Sequence, residues 1–313
     1  MSMAPGLHFR ILDIRTLFHH NADVFMSRKS KNEIKHYAKV LRYPCGLVDI
    51  MASTEPDFGP KGWETAEDYA TPRPALGEHD RRSRSCETQG KDGPQALAED
   101  VERSMRRARA KVRRLALSND FRYFVTLTLD DMMVDRYDMG AIVKKLNAWC
   151  SNAVQRRGLR YILVPERHKD GAIHFHGFFN GALPAVDSGT IRVPWAKKPR
   201  KPRSKAEREE WLAAGGRVVY NLPGWSLGYT TAMELYGEYP AAVAYVCKYI
   251  GKGGEKPGGR WYYSGGDLRE PAVEYLELSP AELANAYPDK AFVFYPPGKQ
   301  MAVVNGIVLD KVQ

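Results

Sequence analysis

The feature that most constrains this chain is a pair of β-rich runs with one turn signal between them. Tyr161-Ile162-Leu163-Val164 and Ala172–Phe179 flank Asp170-Gly171, the pattern of two strands joined as a hairpin. Loop length then decides which residues face each other. A two-residue Asp170-Gly171 loop pairs residues whose numbers sum to 341 and puts Glu166 opposite Phe175. A three-residue Lys169-Asp170-Gly171 loop, with Gly171 left-handed, makes the sum 340 and sets Glu166 across from His174. Glycine is the residue that a left-handed position favours. We expect the second register.

Alternation along the strand sends His174 and His176 to one face and Phe175 to the other. A His-x-His triplet alone is a weak signal. The hairpin adds Glu166 to the same face, and two imidazoles with a carboxylate and open positions suit a catalytic divalent ion. On a phosphodiester substrate that ion would be Mg²⁺ or Mn²⁺. His168 shares the parity of Glu166 and is the rival third ligand, but lies nearer the loop end.

Further strands and helices surround this hairpin. Tyr123–Leu129 reads as a strand, and Asp138 caps a helix with an apolar stripe of Ile142, Leu146, Trp149 and Ala153 that Gly158 ends. Arg217–Tyr220 and Tyr229–Glu234 read as strands, Ala241–Lys252 as a helix, and Trp261-Tyr262-Tyr263 as a last core strand. This order predicts an α+β fold with a mostly antiparallel central sheet and helices packed on one face, ferredoxin-like or RNA-recognition-motif-like. Residues 51–100 hold no Val or Ile but five prolines, so 51–98 reads as a linker or long loop. Short apolar runs in 7–50 are expected to form a strand pair that joins the main sheet. That leaves 1–50 without a role, 99–270 as the catalytic domain with a basic inserted loop at 181–216, and 271–313 as a C-terminal extension.

The formal charge is +10, from 47 basic and 37 acidic side chains, and it is concentrated. Residues 101–117 carry seven cations against Glu102, and residues 197–208 carry seven against Glu207. The rest of the chain is slightly negative, so the excess belongs to two local features. The first is a helix with Val101, Met105, Ala108, Val112 and Leu115 on one face and arginines on the others. It is either a solvated helix or a basic ridge for a phosphate backbone. The second, around Pro199 and Pro202, is an exposed loop. Four isolated cysteines, at 45, 86, 150 and 247, argue against a zinc site and for a reducing cytosol. No apolar run is long enough for a membrane span, and no signal peptide is visible.

Tyr245, Lys248, Tyr249 and Lys252 recur at i, i+3, i+4 and i+7, so a helix places them on one face, opposite Val243, Val246 and Ile250. That is either an amphipathic helix with rim tyrosines or a site for covalent catalysis. A phenol is a weak nucleophile with a pKa near 10, and neighbouring cations favour its ionised form.

Three motifs in order resemble the HUH endonucleases, in particular the rolling-circle replication initiators of single-stranded DNA phages, prophages and small plasmids. They are Phe124-Val125-Thr126-Leu127-Thr128-Leu129, His174-Phe175-His176-Gly177-Phe178-Phe179 and Tyr245-Val246-Cys247-Lys248-Tyr249-Ile250-Gly251-Lys252. Gly177 departs from the pattern, where a bulky residue is usual. The double tyrosine is similar to that of microvirus-type initiators, and the resemblance spans about 101–265.

The resemblance implies a site-specific nickase acting in the cytoplasm of a bacterial host. Glu166, His174 and His176 would hold the metal, Tyr245 or Tyr249 would attack the scissile phosphate, and Lys248 and Lys252 would steer that phosphate and lower the phenol pKa. Arg103, Arg106, Arg107, Arg113, Arg114, Lys197, Lys198, Arg200, Lys201, Arg203 and Arg260 would hold single-stranded or hairpin origin DNA. No P-loop is evident, so a host helicase and polymerase are implied partners. The alternatives are a conjugative relaxase or transposase of the same superfamily, or a non-catalytic single-strand-binding module stacking bases on Tyr123, Trp261, Tyr262 and Tyr263.

Overall fold

The computed structural model describes residues 37–54, 94–235, 239–252, 256–296 and 298–308. The chain divides into two compact units, one from 89–270 and one from 1–88 together with 271–313.

The 89–270 unit is built on a seven-stranded sheet. Its elements in chain order are α1 (Pro94–Ser118), β3 (Tyr123–Leu129), α2 (Met139–Arg157), β4 (Tyr161–Arg167), β5 (Ile173–Phe179), β6 (Val186–Arg192), α3 (Lys205–Ala213), β7 (Arg217–Asn221), β8 (Gly228–Glu234), α4 (Tyr239–Tyr249) and β9 (Tyr263–Gly265). The strands lie in the order β6-β7-β8-β3-β5-β4-β9, and every described pairing is antiparallel. The fold is therefore α+β, with an antiparallel sheet as expected.

The helices depart from expectation in one respect. Alternation sends Val125, Leu127, Leu163, Ile173 and Phe175 to one face, where Ile142, Leu146, Cys150 and Ala153 of α2 complete a dry core. α4 packs over the other face: Tyr245 meets Phe124 edge-on and Tyr249 stacks on His176. α1 is tied to α4 through Arg109, which donates to the Ile250 carbonyl at 2.8 and 3.1 Å. Helices thus occupy both faces and not one. The second layer forms because Val243, Val246 and Ile250 of α4, like Val112 and Leu115 of α1, need burial and find it there.

Turn chemistry sets the hairpin register. Gly171 has φ +90°, the His168 amide donates to the Ala172 carbonyl at 2.8 Å, and Glu166 pairs with His174. This is the three-residue loop. Asp138 caps α2 by accepting from the Gly140 and Ala141 amides, and Gly158 ends it in the left-handed conformation. Gly177 is explained by crowding, since a Cβ there would lie 1.8 Å from the Ile162 carbonyl oxygen.

The 181–216 segment is more than a loop. It holds β6 at the sheet edge and α3, whose Ser204 cap accepts from the Glu207 amide at 3.1 Å. The proline-bearing run lies between them, and only a single bridge, Ile191 to Arg200, ties it to the sheet.

The other unit carries a five-stranded antiparallel sheet. Its elements are β1 (Tyr37–Arg42), β2 (Leu47–Ser53), β10 (Ala272–Leu276), α5 (Pro280–Ala286), β11 (Phe292–Phe294) and β12 (Met301–Val308), with strand order β10-β1-β2-β12-β11. The strand pair expected in 7–50 forms within 37–53, but it pairs with C-terminal strands and not with the main sheet. The physical reason is apolar complementarity: Val40, Ile50 and Ala52 share a core with Leu276, Leu283, Ala302 and Val304. Buried Asp49 is satisfied by Tyr43 Oη at 2.6 Å and the Gly306 amide at 2.8 Å. Most of the expected 51–98 linker lies outside the described residues, although Met51–Ser53 belong to β2 and Pro94 opens α1.

Candidate functional site

The polar face of the seven-stranded sheet gathers the reactive side chains. β4 contributes Glu166, β5 contributes His174 and His176, and α4 lays Tyr245 and Tyr249 across them. His176 Nε2 stands 2.7 Å from Glu166 Oε2, with both side chains nearly buried. Tyr249 stacks on the His176 ring, centroids 4.2 Å apart and planes 14° apart. The Tyr249 hydroxyl donates to the Tyr245 hydroxyl at 2.6 Å. Glu166 therefore points into the site, whereas His168 sits at its rim: its Nδ1 is 3.4 Å from Asp170, and its ring centroid is 5.2 Å from that of His174.

Lys252 reaches the site by a route that helical spacing does not describe. α4 ends at Tyr249, and Gly251 turns the chain with φ +82°. A Cβ at Gly251 would lie 1.8 Å from Met105 Sδ, so close passage of α1 requires glycine and breaks the helix there. Lys252 is thus beyond the i+7 face. Its ammonium nonetheless bonds Glu166 Oε1 and sits 5.3 Å from the Tyr249 ring centroid. Lys248 stays on the helix, exposed, one turn from Tyr245.

Burial lowers the pKa of both histidines; His168 adds to the effect at His174, and Glu166 opposes it at His176. Both are thereby biased to the neutral form that can donate a lone pair. The Tyr249 phenol is pushed above its ordinary value by burial first, then by its bond to Tyr245 and by the Glu166 charge. The lysines were expected to lower it. Lys252 has spent its charge on Glu166 instead.

Two functional side chains escaped the sequence reading. Thr126 Oγ1 lies 3.1 Å from His176 Nδ1, and Thr128 Oγ1 lies 3.3 Å from His174 Nδ1. The signal was present in the first motif strand, where two hydroxyls at spacing two match two imidazoles at spacing two. Finding it needed the β3–β5 register. With Nδ1 engaged by a hydroxyl, each ring can turn Nε2 toward an ion. The donor chemistry of Glu166, His174 and His176 therefore fits a hard divalent cation. As they stand, no three His, Cys, Asp or Glu side chains among the described residues are arranged to hold one, because His176 and Lys252 draw the Glu166 carboxylate in.

The basic residues divide. On α1, Arg103 pairs with Asp100 at 2.9 Å and Arg106 with Glu102 at 3.9 Å. Arg103, Arg106 and Arg107 are exposed, while Arg113 and Arg114 are half-buried. Lys197, Lys198, Arg200, Lys201, Arg203 and Arg260 are exposed. The base-stacking alternative loses its surface, because Tyr123, Trp261 and Tyr263 are buried in the fold.

The fold and this face define an α+β domain whose imidazoles, carboxylate and phenols converge on one side of an antiparallel sheet. Residues 122–254, from the start of β3 to just past α4, match the family of replication-associated proteins of the ORF2 type. That stretch is similar to replication-associated proteins and supports a protein of the replication-initiator type. No curated protein and no solved structure matches the chain. Among the described residues no helix is long and apolar enough to cross a membrane.

Proposed function

We propose that the chain is a metal-dependent, site-specific single-stranded DNA nickase that initiates rolling-circle replication and rejoins DNA at termination. The observation that carries this is the convergence of Glu166, His174, His176, Tyr245, Tyr249 and Lys252 on one sheet face, inside the segment similar to replication-associated proteins. Glu166, His174 and His176 hold a divalent cation, Mg²⁺ or Mn²⁺. That cation, when bound, makes the scissile phosphorus more electrophilic.

Tyr249, stacked on His176, or its hydrogen-bonded neighbour Tyr245 loses its phenolic proton and attacks phosphorus. The new bond joins the tyrosine oxygen to the 5′-phosphate. The bond to the 3′-oxygen breaks, and that oxygen takes up a proton to become the free 3′-OH that primes synthesis. Energy of the cut bond is kept in the phosphotyrosine ester, and the second phenol one turn away serves the second transfer. Lys248 and the Lys252 ammonium, once it leaves Glu166, balance phosphate charge. The exposed cations of α1 and of the 197–203 run hold origin DNA, with helicase and polymerase supplied by the host.

The test incubates the full chain with single-stranded segments of its own replicon and Mn²⁺, followed by a denaturing gel. A covalent protein–DNA adduct is expected, and it disappears when Tyr245→Phe and Tyr249→Phe are combined. Absence of an adduct with every segment sinks the proposal.

A further inference from the structure

The environment of His176 differs on its two nitrogens in a way that bears on how an ion enters. Nε2 faces the Glu166 carboxylate at 2.7 Å, and Nδ1 faces the Thr126 hydroxyl at 3.1 Å. A neutral imidazole carries one N–H, and an ionised carboxylate only accepts. The proton therefore sits on Nε2, donating to Glu166, and Nδ1 accepts the Thr126 O–H. Ligation through Nε2 requires the opposite arrangement, with the lone pair on Nε2 and the proton on Nδ1. A carbonyl or carboxylate at Nδ1 could partner only that second state. A hydroxyl partners both, because its O–H rotates and its oxygen also accepts.

We propose that Thr126 is a two-way positioning residue for His176: its hydroxyl donates to Nδ1 while Nε2–H faces Glu166, and turns to accept from Nδ1–H when Nε2 ligates a divalent cation. The inference rests on the metal reading given above. Its proton balance is closed. The ring gives one proton to water from Nε2 and takes one from water at Nδ1, and Thr126 keeps its own. Glu166 loses its histidine donor in the same event, which frees Oε2 for the ion. Thr128 offers His174 Nδ1 the same kind of partner at 3.3 Å, so both ligand rings are held by hydroxyls of one neighbouring strand, in register. A valine at 126 keeps the β-branched shape but can partner neither state.

The test uses the full chain labelled with ¹⁵N at histidine, the His176 signals being assigned by their loss in His176→Gln. Ring-nitrogen shifts are read without metal and during titration with Mg²⁺. Wild type is expected to show Nε2–H without metal and Nδ1–H at saturation. Thr126→Val is expected to keep the Nε2–H form but bind Mg²⁺ about tenfold more weakly, with Thr126→Ser restoring wild-type affinity. The inference is overturned if His176 already carries Nδ1–H without metal, a measurement that needs no variant. It is equally overturned if a folded Thr126→Val binds Mg²⁺ as tightly as wild type while His174 and His176 still respond, an outcome that leaves the metal reading standing. Wild-type histidines that respond to neither Mg²⁺ nor Mn²⁺ remove the metal reading and this inference with it.

Discussion

The two faces of the seven-stranded sheet are made from the same strands, residue by alternating residue, yet they obey different rules. On the α2 face Val125, Leu127, Leu163 and Phe175 have no exposure at all, and packing is the whole of their role. On the α4 face Thr126, His174, His176 and Glu166 are held by hydrogen bonds and ring stacking, under a helix that leaves Tyr245 half exposed. Phe175 lies between the two histidines in sequence and on the opposite side in space. The contrast teaches that stability and chemistry are separable here by a shift of a single position.

The largest effect tests whether the strands can carry both faces. Gly177→Ala places a Cβ 1.8 Å from backbone that cannot rotate away. It is expected to cost more than about 4 kcal/mol and to leave little folded protein, read as soluble yield and thermal unfolding. A stable Gly177→Ala protein breaks the claim that the β4–β5 approach is this close.

Next comes the direct comparison of neighbours. Phe175→Ala is expected to lose about 3–5 kcal/mol in denaturant unfolding, whereas the small amount of folded protein retains adduct-forming activity per molecule. His176→Ala is expected to lose only about 1–2 kcal/mol yet to form no adduct with DNA and Mn²⁺. Equal stability losses would erase the distinction between the faces.

The smallest effect is a pH dependence of the dry face. Burial raises the Cys150 thiol from its ordinary 9.0 to about 12, a shift that its bond to Tyr161 moderates. Below pH 9 the thiol is protonated in both folded and unfolded chains, so its contribution is fully present. Above pH 9 the unfolded chain sheds the proton first, and stability falls as pH rises toward 12. Cys150→Ala should flatten part of that decline in unfolding curves taken across this window, while adduct formation at pH 7 is unaffected. A Cys150→Ala slope as steep as wild type removes this group from the account.

Legibility followed the range of the interactions. The hairpin register could be read because Gly171, a few residues from Glu166 and His174, sets it through its own backbone conformation. The α2 ends could be read because Asp138 and Gly158 satisfy groups within a few residues of themselves. The reach of α4 could not, since its end depends on Met105, more than a hundred residues earlier, passing over Gly251. Helices on both faces were missed because an amphipathic stripe says that a helix buries one side, not against which layer it does so.

Sequence by itself determined the strands, the caps, the turn and the side-chain parity that put Glu166, His174 and His176 on one face. All of these rest on stereochemistry within a dozen residues. Only the tertiary structure decided that Thr126 stands behind His176, that Lys252 folds back onto Glu166, and that Arg42 at one end of the chain meets Glu274 near the other at 2.8 Å. Those pairings depend on which strand edges and helix faces meet once the core has closed, and no local pattern encodes that choice.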